Sequence, residues 1–175
     1  EHQALVRARV LTGCARVVEG FERVRATILE RARDLPKLQA EVSEMRAKMR
    51  DNLGSRETAA GTGANAFDAA TSFDLKQDAG GIVDIEFMVQ YAALAWSGQH
   101  PELHRYTDNI RILDGLRDVG LLPAADVELL QEAYKAYRSA AHRQALQKQP
   151  GKVGGDQFAE ERRSVMRLWR ELGLN

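Results

Sequence analysis

Gly80-Gly81-Ile82-Val83-Asp84-Ile85-Glu86-Phe87-Met88-Val89-Gln90-Tyr91-Ala92-Ala93-Leu94-Ala95-Trp96-Ser97 is the stretch that decides the fold. From about Ile82 to Ser97 it reads as a helix that is apolar nearly all round, and such a helix belongs at the centre of a bundle. It is not a membrane span: its strongest run, Phe87–Trp96, is interrupted by Gln90 and falls short of the roughly 18 apolar residues a crossing needs. Upstream, residues 2–11 predict a helix with Leu5, Ala8 and Arg9 on one side, ended or bent by Gly13. Val17, Phe21, Val24 and Ile28 then follow 4-3-4 spacing, an apolar stripe on a helix otherwise covered by charge. Pro36 suits the first turn of a third helix with Leu38, Val42, Met45, Met49 and Leu53 as its buried line.

Downstream, a helix from about Thr107 to Val119 turns Ile110, Leu113, Leu116 and Val119 inward, with Gly120 as its stop. Pro123 opens the longest helix, whose line is Val127, Leu130, Tyr134, Tyr137, Ala141 and Ala145. After Pro150-Gly151 and the Gly154-Gly155 turn, Asp156 is placed to cap a last helix carrying Phe158, Val165, Leu168, Trp169 and Leu172 inside. The sum is all-α, a single helical domain over 1–175 with about seven helices. One long loop at Gly54–Ser72, made of small residues, is expected to be flexible, and a short extended segment, Phe73-Asp74-Leu75-Lys76, precedes the Gly-Gly turn.

Composition narrows the function classes. Lys+Arg and Asp+Glu balance at 25 each, so no basic face for nucleic acid follows from bulk charge. The one cysteine, Cys14, forms neither a disulfide framework nor a metal knuckle within the chain; it is expected to pack, and a reducing cytoplasm fits best. The chain opens without Met on residues that already read as helix, as an excised domain of a larger protein would.

The segment that breaks ordinary bundle rules is Asp74–Phe87. Two glycines at a helix start cost roughly 0.5–1 kcal/mol each relative to Ala if they lie inside the helix, and what they permit is close approach. The N–H groups of Gly81, Ile82 and Val83 would point from a helix N-terminus, where an anion is favoured, and Lys76 would bring a positive charge to it. On these grounds Lys76, Gly80 and Gly81 are candidate phosphate ligands, against the plainer reading of a strand-to-helix turn. Asp84 and Glu86 lie about 200° apart around the helix, so at least one needs an internal partner, expected among Lys76, Arg111, Arg138 and His142. With Asn109 they make up a candidate supporting polar network: Asp84, Glu86, Asn109, Arg111, Arg138, His142. Thr107-Asp108-Asn109 reads equally as a helix cap.

Four segments together resemble the glutamine synthetase adenylyltransferase/adenylyl-removing enzymes: Phe73-Asp74-Leu75-Lys76 … Gly80-Gly81-Ile82-Val83-Asp84-Ile85-Glu86-Phe87, Glu1–Arg9, Thr107-Asp108-Asn109-Ile110-Arg111, and His142-Arg143-Gln144-Ala145-Leu146-Gln147. One position departs: Asp78 stands where the family often has the first glycine of Lys-x-Gly-x-Gly-Gly. The resemblance implies a bifunctional enzyme with two nucleotidyltransferase halves, each followed by a helical domain. One half removes AMP from glutamine synthetase, and the other attaches it from ATP to a tyrosine. This chain is similar to the helical tail of the adenylylating half. The family's catalytic carboxylates, in a Gly-Ser-x-x-Asp motif that holds Mg²⁺ against the triphosphate, have no counterpart here. No catalytic or metal-binding residue is therefore expected, and the isolated chain is expected to be inactive. Lys76 and Gly80-Gly81 would complete the nucleotide cleft of an upstream nucleotidyltransferase domain, with PII signal protein and glutamine synthetase as further partners. The other reading is a regulatory module that binds PII or glutamine synthetase and never contacts nucleotide.

Overall fold

The structure, a computed structural model, describes residues 2–53 and 72–175; the expected loop at 54–72 lies outside these apart from Ser72. Seven helices occur among the described residues: α1 His2–Arg7, α2 Ala15–Leu29, α3 Leu35–Leu53, α4 Ile82–Trp96, α5 Asn109–Asp118, α6 Ala124–Leu146 and α7 Ala159–Glu171. A 3-10 turn covers Pro101–His104. The strands β1 Ser72–Asp74 and β2 Lys152–Gly154 pair antiparallel, with Phe73 opposite Val153. The chain falls into two compact units, Glu1–Leu38 with Val89–Val127, and Gln39–Met88 with Glu128–Asn175.

In the first unit, Leu29, Tyr91, Leu94, Leu103, Ile112, Leu113 and Leu116 are buried. Three expectations are corrected there. α1 stops at Arg7, and Val6 is the residue it buries. α2 is turned so that Arg25 and Leu29 face inward, while Val17 and Val24 of the expected stripe stand in solvent. The reason is Arg25, whose Nε donates to the Leu5 carbonyl (2.8 Å), Nη2 to that of Val6 (3.0 Å) and Nη1 to that of His104 (2.7 Å). The last carbonyls of a helix have no partner within it, and one guanidinium with five donors satisfies several at once. Cys14, expected to pack, is exposed at the N-cap position of α2. α5 forms as its cap residues dictate: the Asp108 carboxylate accepts the Arg111 N–H at 3.0 Å, and Gly120 closes the end at φ +73°.

The second unit is built around Phe73, Leu75, Ile82, Val83, Ile85, Tyr137, Val165, Leu168 and Trp169, all buried. α3 buries Val42 and Arg46, while Met45 and Leu53 are exposed, which corrects the line read through them. α6 buries Leu130, Ala133, Tyr137 and Ala140; Tyr134 and Ala141 are half-buried and Ala145 is exposed. α7 begins later than its Asp156 cap suggests: Phe158, in the left-handed region at φ 61°, holds the N-cap position. The short extended segment acquires its partner from Lys152–Gly154, which the sequence presents only as residues between a Pro-Gly break and a Gly-Gly turn.

Candidate functional site: a closed diglycine elbow

The elbow runs from β1 to the first turn of α4, and the amides of Gly80, Gly81, Ile82 and Val83 are each held by a neighbour in the chain, while the buried Gln77 Oε1 has no hydrogen-bond partner among the described residues. Asp74 folds the turn: its Oδ1 accepts the N–H groups of Lys76 and Gln77, both at 2.9 Å, in an Asx turn. Asp78, fully buried, returns the contact by accepting the Asp74 N–H on Oδ2 at 2.8 Å. The Gly81 amide donates to the Asp78 carbonyl (3.0 Å), Ile82 to Leu75 (2.9 Å) and Val83 to Lys76 (3.2 Å). Gly80 N–H is taken by Asp84 Oδ2 at 2.6 Å. The amides that the spacing offers to an anion are thus already bonded, and the expectation of bare donors is corrected. An acid at position 78 is explained by the same geometry: it ties the turn to β1.

Why glycine is required here is a matter of space. A Cβ on Gly80, whose φ is +81°, would come within 2.8 Å of the Arg162 carbonyl oxygen; one on Gly81 would come within 2.8 Å of the Leu75 oxygen and 3.0 Å of that of Asp78. The close approach anticipated from the double glycine is therefore to the chain's own backbone. Lys76 remains exposed at the tip of the turn.

Two buried arginines, absent from the sequence-based candidates, brace this elbow. Arg46 of α3, fully buried, donates from Nε to Asp84 Oδ1 and from Nη2 to the Gln77 carbonyl at 2.7 Å. Asp84 thus has an internal partner, as its position required, but the partner is Arg46 and none of Lys76, Arg111, Arg138 and His142. Arg162 of α7 lies with its guanidinium 4.0 Å from the centre of the Phe73 ring and donates to the Gly155 carbonyl at 3.0 Å. Tyr137 packs edge-on against both Phe73 and Phe158, at 5.8 and 5.3 Å between centroids.

Of the expected six-residue network, the second unit brings Glu86 and Arg138 together at Tyr134. Glu86 accepts from the Tyr134 hydroxyl at 3.3 Å, and Arg138 lies 5.8 Å from that same ring. His142 is exposed on α6. Asn109 and Arg111 belong to the first unit. Asn109 is buried at the start of α5, and Arg111 pairs with Asp108 at 2.5 Å while covering the Tyr106 ring at 4.3 Å. Burial alone would raise the Asp108 carboxyl, but the Arg111 N–H and guanidinium outweigh it and hold it below the ordinary range.

The Tyr137 hydroxyl is buried with no hydrogen-bond partner among the described residues. Burial, with Glu161 adding, pushes this phenol well above its ordinary value of 10. An unfolded chain would ionise it near pH 10 while the folded one keeps the proton, so stability falls as pH rises past that point. Tyr137→Phe is expected to change stability at pH 7 by less than about 1 kcal/mol, since the hydroxyl makes no bond that would be lost. It should also reduce the loss of stability between pH 8 and pH 11, as read from urea midpoints.

The donor set can be weighed against a nucleotide. No three His, Cys, Asp or Glu side chains are grouped to hold a cation among the described residues, and the elbow's amides are in use. These residues do not fit a triphosphate with its metal. No helix among the described residues is long and apolar enough to cross a membrane. Fold and site together define a mostly helical chain in whose second unit buried arginines brace a turn.

The chain belongs to the family described as GlnD PII-uridylyltransferase, which matches residues 43–169. It is 73 % identical over 175 residues to the "Bifunctional glutamine synthetase adenylyltransferase/adenylyl-removing enzyme" of Pseudomonas syringae pv. tomato, covering all of this chain and 18 % of that protein. Proteins of the same name from Pseudomonas aeruginosa and Nitrosococcus oceani are 70 % identical over 174 residues and 48 % over 172, covering 99 % and 98 % of this chain and 18 % and 16 % of their own lengths. These relatives carry the name of the family that the four sequence segments resemble. The chain spans under a fifth of their length.

Proposed function

We propose that this chain is a non-catalytic helical domain of a glutamine synthetase adenylyltransferase/adenylyl-removing enzyme. It supports ATP-dependent transfer of AMP to a glutamine synthetase tyrosine by presenting the elbow as a fixed, preformed surface to a cytoplasmic nucleotidyltransferase domain. The observation that carries this is the closed hydrogen bonding of Gly80–Val83, which leaves Lys76, exposed at the tip, as the charge the turn presents. In this reading ATP and Mg²⁺ are held by other parts of the enzyme. The elbow contributes shape and one ammonium to the cleft.

In the full-length enzyme, Lys76→Ala is expected to lower kcat/KM for AMP transfer about 3–10-fold, or about 0.7–1.4 kcal/mol, with unchanged helicity. Unchanged kinetics would remove Lys76 from the cleft. The occupied amides also favour a second reading, a regulatory module that binds PII signal protein or glutamine synthetase without touching nucleotide. Its mark would be PII binding that persists in Lys76→Ala while AMP transfer without PII keeps its wild-type rate.

A further inference from the structure

The flank of α2 roughly 110° around the helix from its buried Arg25 and Leu29 carries a feature that nothing within the described residues uses. Val17 and Val24, seven residues apart, are 56 % and 59 % exposed, and Phe21 and Ile28 at the edge of the same stripe are only half-buried. Between the two valines stands Gly20, in mid-helix, where a Cβ would meet nothing within 4 Å. Glycine is among the poorest helix formers, so a mid-helix glycine facing open space is unexplained by packing within this chain. Along one flank, Arg16 and Arg23 are exposed and seven apart, and neither guanidinium is engaged by an ion pair among the described residues. The outward orientation is fixed, because Arg25 pins the helix to the carbonyls of Leu5, Val6 and His104.

Apolar residues at alternating three- and four-residue spacing are the seam by which helices pack, and a glycine within it lets a second backbone come close. The aligned relatives are more than five times the length of this chain, so most of such a polypeptide lies outside it. We propose that the Val17–Gly20–Val24 face of α2 is a helix-docking surface for that remaining polypeptide. The helix it receives carries an apolar ridge edged with carboxylates that meet Arg16 and Arg23. This rests on reading the chain as one domain of a longer enzyme.

The test uses the full-length enzyme carrying Val24→Cys, alkylated with iodoacetamide and read peptide by peptide. The introduced thiol is expected to react at least tenfold more slowly in the native enzyme than after unfolding in guanidinium. Adding Gly20→Leu should bring that protection to within about threefold, with far-UV circular dichroism unchanged. Native reactivity equal to unfolded reactivity would overturn the proposal. So would protection indifferent to Gly20→Leu, or protection lost on dilution as a dimer dissociates, which would assign the face to a second copy. AMP transfer by the same preparation separates the two claims: protection without transfer would sink the functional reading and leave the docking surface standing.

Discussion

Arg46→Ala is expected to destabilise the second unit by about 3–5 kcal/mol, the largest effect of any single change considered. The substitution leaves the Asp84 carboxylate, 1 % exposed, facing an emptied space where its positive partner stood. It also strips the Gln77 carbonyl of a donor at 2.7 Å. Asp84→Ala should cost a similar amount, since it strands a fully buried guanidinium and frees the Gly80 N–H. The double replacement Arg46→Met with Asp84→Leu should be less damaging than either single change, because it removes both desolvated charges together. Urea unfolding of the four proteins would check this. Losses under about 1 kcal/mol for the single changes would mean that the pair does not hold the elbow.

Gly80→Ala carries the second largest expected effect, about 2–4 kcal/mol. Ala at a compatible site usually stabilises by about 0.4–1 kcal/mol through the unfolded chain. At φ +81° the left-handed cost of about 1–2 kcal/mol outweighs that gain, and the new methyl would sit 2.8 Å from the Arg162 carbonyl oxygen, a backbone atom that cannot rotate away. Gly81→Ala meets two carbonyl oxygens instead, at 2.8 and 3.0 Å, and should be damaging for that reason. For a chain of this size each kcal/mol lowers a thermal midpoint by about 2–4 °C, so Gly80→Ala should lower it by at least about 4 °C. Gly20→Ala, in open space, should leave the midpoint unchanged or raise it.

Much of the fold is legible because apolar periodicity reports burial directly. The all-round apolar helix after Gly81 is buried through Leu94, and the Asp108 cap, the Gly120 stop and the break at Pro150 fall where the residues place them. Three arginines account for much of what the pattern hides. Arg25 precedes Leu29 by four residues, Arg46 follows Val42 by four, and Arg162 lies four after Phe158 and three before Val165. Each occupies a position on a buried line, yet each reads as part of a solvated face because arginine is usually exposed. The signal is present for Arg46, since Asp84 on the central helix demands an internal cation. Pairing the two needs tertiary proximity that spacing does not encode. Strand β2 is hidden for a related reason: three residues between breakers carry too little pattern to announce a partner.

The candidate site is legible as a special turn but not in its chemistry. Two glycines, an aspartate four residues before a second aspartate, and a helix start mark a close approach. They do not say whether the approaching group is a ligand or the chain's own carbonyls. That distinction depends on Leu75, Lys76 and Asp78 turning their oxygens toward the amides, which follows from the Asx turn at Asp74.

Amide hydrogen exchange at Gly81, Ile82 and Val83 tests this most directly, measured in the full-length enzyme with and without inorganic pyrophosphate. Closed hydrogen bonding predicts that all three amides are protected in the absence of anion and that pyrophosphate leaves their rates unchanged. Rapid exchange that slows when pyrophosphate is added would show open donors waiting for an anion, and would contradict the closed elbow.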